Sequence, residues 1–317
     1  YVSYLNHSDR KPDSQKELKE LIVDAKFSDI EIYPPRLNRL HTKFVPVGNC
    51  IYFGLNYIKH VGRNECKKIE EICRNKDISG YSWMDVLTKV IHGGKLNKRS
   101  VVALISVGAF NGENNKRDRQ RMLYEYDSWR DLTSREQKAI DDLSESFDKS
   151  ASLSSCISEM MHTTKINSRR ITTVIDIKKI LDNPPHDLKD NIPLMAQSET
   201  EYLSYSLSCS RTDAFEINFA SSLCKEIAKG TITGKTRLAV QINTIRLHKT
   251  KSGKNPGQLM AFVTAEDGSG LLDSITVFPE CYSKHKDMLV EGNTVLMTGT
   301  ISKRENTSLI VDVVSQL

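Results

Sequence analysis

Asn56-Tyr57-Ile58-Lys59-His60-Val61-Gly62-Arg63-Asn64-Glu65-Cys66-Lys67-Lys68-Ile69, NYIKHVGRNECKKI, is the stretch on which the reading of the chain turns. A hairpin between two helices can tuck one apolar residue between them while its loop N–H groups face an anion. The pattern for such a turn is apolar-x-apolar-x-Gly-apolar-Gly. Glycine supplies the positive φ and lets a phosphate come close. The following helix then starts with its dipole aimed at the same anion. Ile58, Val61 and Gly62 fit, and Lys59, Arg63, Lys67 and Lys68 surround them. His60 stands where the first glycine belongs. Histidine tolerates the left-handed region better than β-branched residues do, and an imidazole can donate a hydrogen bond to a phosphate. A plain helix–loop–helix with a surface histidine fits the same residues.

On the N-terminal side, residues 1–27 carry a helix signal, with Ser14 and Glu17 spaced as a capping box. DIEIYPP reads as a short strand stopped by Pro34-Pro35, and LHTKFVPVGNCIYFGL as a hairpin broken at Gly48-Asn49. On the C-terminal side the period is helical to about Tyr126. Cys66, Ile69, Ile72 and Cys73 form one apolar face, and Trp83, Val86, Leu87 and Val90 another. Val101 to Val107 fill a third helix ending at Gly108, HGGKLNKRS before it is a turn with three cations, and NKRDRQR begins a fourth helix. From 95 to 121 the cations are Lys95, Lys98, Arg99, Lys116, Arg117, Arg119 and Arg121, against only Glu113 and Asp118. They gather at helix starts and turns, where phosphates bind; a solvated charged face is the alternative. Residues 127–200 are less legible. SESFDKSASLSSC reads as a linker or frayed helix end, and TTVIDIKKILDNPP as a helix stopped by Pro184-Pro185. No internal repeat stands out.

Residues 235–317 alternate instead. Strands are expected in TRLAVQINTIRLHKT, QLMAFVTAED, LLDSITVFP, NTVLMTGTISKR and TSLIVDVVSQ, with a short helix, ECYSKHKDMLVEG, between the third and fourth. That is the order of an OB barrel. Its first turn is basic, with Lys249, Lys251 and Lys254. Phe262 and Phe278 lie on the second and third strands. Such rings beside a cationic groove stack single-stranded bases; core packing is the other use for each ring.

The whole chain of 317 residues is 38% hydrophobic and 27% charged, which fits a globular chain of two or three domains. No apolar run is long enough for a transmembrane helix, and no signal peptide is visible. The chain opens on Tyr1 rather than Met, so a trimmed, processed or longer product is expected. Lys and Arg number 45 against 40 acids, a net charge of +5, so charge placement matters more than the total. The seven cysteines are odd in number and include no C-x-x-C pair, which argues against a disulfide framework or a zinc ribbon and for reduced, buried thiols. Asp141-Asp142 and Glu266-Asp267 are adjacent acids whose side chains diverge, and they read as solvated. No P-loop, no G-x-S-x-G and no paired acids for two metals are present.

In order along the chain, IYPPRLNRLHTKF, IYFGLNYIKHVG, KLNKRSVVALISVGAFNG, SETEYLSYSLS and TKSGKNPGQLMAFVTAEDGSGLLDSITVFPECYSKH resemble five segments of the bacterial replicative DNA polymerases of family C, the DNA polymerase III α subunits, in their C-terminal half. The second resembles that family's Gly-Leu-x-x-Ile-Lys-Gly-Val-Gly hairpin, with His60 replacing a glycine. Ser204 and Cys209-Ser210-Arg211 depart from the family's Leu-Gly…Gly-His-Pro ending. The resemblance implies an α+β multidomain chain: the end of the fingers over 1–50, a helix-hairpin-helix domain over 51–135, a linker or helical connector over 136–234, and an OB-fold β-barrel over 235–317. It implies the DNA-gripping portion of a DNA-directed DNA polymerase, a nucleotidyltransferase, inactive by itself. The metal-binding palm aspartates lie outside these residues, so no cofactor is expected here and Mg²⁺ belongs to the whole enzyme's palm. Lys59, His60, Val61, Gly62, Arg63, Asn64 and Lys67 would hold the duplex backbone, extended by Lys95, Lys98 and Arg99. The implied partners are primer–template DNA, the N-terminal catalytic portion in the same or a separate chain, and a sliding clamp. Gln120, Leu123 and Tyr124 of QRMLY loosely fit a clamp-binding motif. No membrane partner is implied, and the place of action would be the cytoplasm of a bacterium or phage-infected host. A stand-alone DNA-binding accessory protein and one chain of a split polymerase are the alternatives.

Overall fold

The expected change from helical to alternating periodicity separates two architectures. The computed structural model describes residues 1–8, 12–215, 219–251 and 256–317. Two compact units result: Tyr1–Leu18 with Ile32–Leu207, and Lys19–Glu31 with Ser208–Leu317.

In the first unit, α1 (Val2–Leu5) precedes α2 (Ser14–Phe27), whose later turns count with the second unit. The cap of α2 is made one residue before Ser14: the Asp13 carboxylate accepts from the Lys16 N–H at 3.2 Å. Asp shares the cap preference of Ser, so the capping signal was offset by one position. β1 (Glu31–Tyr33), β2 (Val45–Val47) and β3 (Cys50–Tyr52) form a sheet of order β1-β3-β2, with Gly48 turning the β2–β3 hairpin at φ +62°. Phe44 packs edge to face on Phe53 and at a tilt on Tyr57, with ring centroids 4.7 and 4.8 Å apart. A 3-10 turn (Leu55–Tyr57) leads through residues 58–62 into α3 (Arg63–Asn75). Next come α4 (Trp83–Asp85), which continues as a π-helical segment (Val86–His92), then α5 (Lys98–Ser106) and α6 (Arg119–Arg130).

The stretch that resists sequence reading is four more helices, α7 (Ser134–Asp142), α8 (Leu153–Thr163), α9 (Ser168–Asp182) and α10 (Ile192–Leu203). The serines expected to form a linker include a cap. Ser152 and Ser155 exchange side-chain and backbone bonds at the start of α8. Leu153, Cys156, Ile157 and Met160 behind them are buried. A serine run reads the same in a linker and at a helix start; only the apolar face that follows distinguishes them.

Three of the seven cations in the 95–121 window are structural. Glu125 is 2% exposed. It receives Arg117 at 2.6 and 2.8 Å and the Trp83 indole N–H at 2.9 Å. Arg121 reaches the same carboxylate at 3.8 Å. Arg117 also donates to the Ala151 carbonyl at 3.0 Å, fastening α6 to the entry of α8. Arg119 is buried and donates to Glu199 on α10 at 2.8 Å and to the Ser106 carbonyl at 2.9 Å. A buried ion is tolerated when paired and hydrogen-bonded. The partner acids lie outside the sequence window, which is why these residues looked like free surface charge.

In the second unit, α11 (Cys224–Ala228) precedes a closed five-stranded barrel of order β4-β5-β6-β8-β7. Its strands are β4 (Lys235–Lys249), β5 (Leu259–Asp267), β6 (Gly270–Val277), β7 (Thr294–Ile301) and β8 (Leu309–Gln316); α12 (Pro279–His285) joins β6 to β7. β6 and β8 are parallel, and the other pairs are antiparallel. This is the OB topology that the spacing predicts. β4 closes it: residues 235–241 pair with β7 and 241–249 with β5, bending at the irregularity between Ile242 and Thr244. Leu238, Val240, Ile242, Val263, Ile275, Met297 and Val311 fill the interior. Asp267, expected to be solvated, is instead buried, because three backbone donors compensate it: it takes the Cys224 N–H on one oxygen and those of Ser269 and Gly270 on the other, so one carboxylate starts α11 and closes the β5–β6 turn. Asp29, at the end of α2, is held by Lys225 and Lys229 at 2.6 and 2.7 Å, and those two ammonium groups bring its carboxyl down to about 2.

Arg117→Met strands the Glu125 carboxylate in the interior and is expected to cost about 3 kcal/mol. Both tryptophans, Trp83 and Trp129, lie in the first unit, so urea unfolding followed by tryptophan fluorescence reads this loss. Adding Glu125→Gln to Arg117→Met should recover part of it; a single-variant loss below about 1 kcal/mol would remove the network from its structural role.

Candidate nucleic-acid interface

The opening stretch forms the expected hairpin. Ile58 and Val61 are buried, and the chain passes through His60 at φ +72°. Histidine here carries a left-handed backbone that costs roughly 1 kcal/mol or more in any residue with a Cβ. Gly62 has φ −75° and serves as the N-cap of α3. The positive φ that the pattern assigns to glycine thus falls on the histidine. Gly62 offers no side-chain cap, and within the first turn of α3 the Glu65 N–H goes to its own carboxylate, so the positive end of the helix dipole lies at this turn.

A second turn of the same build lies between the π-helical segment and α5. Lys95 has φ +50°, Leu96 is buried, and Asn97 caps α5 by accepting from the Ser100 N–H at 2.9 Å. His60-Val61-Gly62 and Lys95-Leu96-Asn97 therefore match position by position: a left-handed residue, a buried apolar anchor and a helix N-cap. The sequence shows no repeat because the residues leading into the two turns differ, Ile58-Lys59 against Gly93-Gly94, and so does their backbone, extended at Ile58 and helical at Gly93.

The two turns hold one another. The Ser100 hydroxyl donates to the His60 carbonyl at 2.7 Å, and the Lys68 ammonium to the Lys95 carbonyl at 2.8 Å. Burial at this junction pushes the Glu65 carboxyl up, but hydrogen bonds from the Asn97 amide, its own N–H and Lys68 outweigh that and hold it below the usual range. From α10, the Tyr202 carbonyl accepts from the Lys59 N–H at 2.9 Å, and the Tyr202 ring meets the His60 ring edge to face at 6.1 Å.

Lys59, His60, Gly62, Arg63, Asn64 and Lys67 are exposed around the first turn; Lys95, Lys98 and Arg99 are exposed around the second. Val61 is inside, so its side chain anchors the turn and only its backbone can meet a ligand. Ser100, Asn97, Glu65 and Lys68, which hold the turns together, went unremarked or were read only as part of a charged surround. Only their three-dimensional pairing marks them.

On the barrel, Phe262 is 46% exposed and Phe278 47%, so neither ring is core. Phe262 lies between Arg246 of β4 and Thr276 of β6, and its ring is 6.4 Å from that of His248. Arg246 and His248 were missed by sequence reading. Their alternation in INTIRLHKT places them on one face, but the register against β5 is needed to set them beside Phe262. Phe278 starts α12. Lys249 ends β4 and Lys251 follows it, both exposed. Lys254 lies outside the described residues. Gln120, Leu123 and Tyr124 are half-buried on α6, and the Tyr124 hydroxyl donates to the Ile180 carbonyl at 2.8 Å. Among the described residues, no helix is long and apolar enough to cross a membrane. Burial pushes the Cys66 and Cys156 thiols up to about 12, well outside a reactive range.

The helix-hairpin-helix motif of known protein families matches residues 29–120, the span holding both turns. The DNA polymerase III subunit alpha of Staphylococcus aureus (strain MRSA252) is 25% identical over 309 residues, 96% of this chain and 25% of that protein. That of Aquifex aeolicus (strain VF5) is 25% identical over 301 residues, 94% of this chain and 21% of that protein. Over nearly its whole length the chain is similar to these DNA polymerase III α subunits. It spans about a quarter of the length of these relatives. The similarity runs through both the paired turns and the barrel, as the five resembling segments lead one to expect.

Gly54, in the GL that precedes the first turn, has ordinary dihedrals of −84° and 135°. Glycine is needed there for proximity: a Cβ would sit 2.5 Å from the Lys43 carbonyl carbon and 2.6 Å from the Phe44 nitrogen. Gly54→Ala is expected to cost on the order of 1–3 kcal/mol and to loosen the turn. Thermal unfolding and faster hydrogen exchange at the amides of Leu55 to Val61 would read it. Unchanged exchange there would show that this contact does not set the turn.

Proposed function

We propose that this chain grips DNA for a replicative DNA polymerase, with the paired turns holding the backbone of the primer–template duplex. The observation that carries this reading is the pair of matched turns, clasped through each other's carbonyls, with Lys59, Arg63, Lys67, Lys98 and Arg99 exposed around them. Backbone N–H groups at a turn and a helix start, ringed by cations, suit phosphate and carry no base-reading group. The relatives' name, DNA polymerase III subunit alpha, supports the polymerase context.

Under this reading, residues 1–50 end the fingers, 51–135 hold the duplex, 136–234 connect, and 235–317 present the barrel. Nucleotide addition, assisted by Mg²⁺, belongs to palm carboxylates outside these residues. The outer row Arg246–Phe262–Thr276 offers a ring to stack on and a cation for the backbone, which fits single-stranded template.

Lys59→Ala/Arg63→Ala is expected to weaken duplex binding and to lower the slope of log affinity against log salt by about 1.8, since two phosphate contacts are removed. Unchanged affinity and slope would overturn the hairpin assignment. Phe262→Ala is expected to weaken binding of a single-stranded oligonucleotide by roughly five- to a hundredfold while leaving duplex binding intact. Equal effects on both forms would place that ring elsewhere.

A further inference from the structure

His60 and Lys95 are equivalent positions of the two turns, and both keep a left-handed backbone, at φ +72° and +50°. Glycine takes that conformation without strain. Each position instead carries a side chain that is cationic or can become so, and each is exposed. Strain kept at an exposed position points to a use for the side chain rather than for the backbone.

The two positions differ in when they are charged. Lysine is cationic throughout the physiological range. Imidazole gains its charge between about pH 5 and pH 8. The His60 backbone is fixed by the bond from the Ser100 hydroxyl to its carbonyl, and its ring rests edge to face on Tyr202. Among the described residues, neither ring nitrogen of His60 has a hydrogen-bond partner. Tyr202 on α10 meets its ring; the charged residues on the elements that contact it are Lys59 and Arg63, near it in sequence, Arg99, next to Ser100 on α5, and Glu201, next to Tyr202 on α10. A phosphate set against the ring favours the protonated form, so binding would take up a proton.

Resting on the reading that this turn holds a duplex backbone, we propose that the His60 imidazole is itself a phosphate ligand that takes up a proton as DNA binds. The grip of the first turn then strengthens as pH falls, while that of the second, built on Lys95, stays constant. Imidazolium donates one N–H to a phosphate oxygen and adds one positive charge, and the proton comes from solvent.

The test is the affinity of the full chain for a short duplex, read by fluorescence anisotropy from about pH 5.5 to pH 8 at several salt concentrations. The wild type is expected to bind roughly five- to tenfold tighter at the acid end, with a salt slope steeper by about 0.9, one further counterion. His60→Gly relieves the strain, so it folds, and it should show neither change. His60→Lys should bind tightly at every pH. If His60→Gly keeps the wild-type pH response, or if His60→Lys binds no better than His60→Gly, the proposal is wrong. Lys59→Ala/Arg63→Ala separates the two layers. If it leaves affinity and salt slope unchanged, the hairpin reading falls and this proposal with it. If it weakens binding while the wild type shows no pH response, only the role of His60 is overturned.

Discussion

A residue in the left-handed region turns its carbonyl away from the helix that follows, and a carbonyl at a crowded junction needs a donor. In this protein, two such carbonyls are satisfied crosswise. Ser100, in the first turn of α5, donates to His60, and Lys68, in the second turn of α3, donates to Lys95. Neither turn can shift without breaking a bond made by the other's helix. The starts of α3 and α5 are thereby held together, with Val61 and Leu96 buried behind them and the cations left outside. Gly54 presses the approach to the first turn against Lys43 and Phe44, and Tyr202 receives the Lys59 N–H. Most of what surrounds residues 58–62 serves to fix a short piece of backbone.

The barrel depends on a different constraint. A five-stranded sheet closes only if its first and last strands pair with each other, and β4 reaches β7 as well as β5 by bending at the irregularity after Ile242. The bend lets the second half of β4 carry Arg246 and His248 to the outer face beside Phe262 while Leu238, Val240 and Ile242 fill the interior. Alternation inside and out is the ordinary consequence of the pleat. Here it also assembles an outward row in which a cation, an imidazole and an aromatic ring lie together.

Charge shows how far composition can mislead. The window 95–121 reads as one basic surface, yet Arg117 and Arg119 are paired with Glu125 and Glu199, and Arg121 reaches toward Glu125. Lys95, Lys98 and Arg99 do lie outside on the turn. Nothing within the window separates the two groups, because an ion pair is defined by a partner that can be distant along the chain, 80 residues in the case of Arg119 and Glu199. The same limit hid Ser100 and Asn97, which are unremarkable as letters and decisive as bonds.

The sequence by itself determined the succession of periods, the five strands with a helix after the third, and the hairpin signature of Ile58, Val61 and Gly62. These are local patterns, set by which residues one chain segment must bury and which backbone angles a residue accepts. The tertiary structure decided the rest. It showed that the turn at Lys95 matches the one at His60 and is clasped to it, made the serine-rich run the capped start of α8, and sorted the arginines into buried pairs and exposed cations. Each of these depends on groups far apart in sequence satisfying one another's hydrogen bonds or charges. A period cannot carry that information; only the assembled chain can.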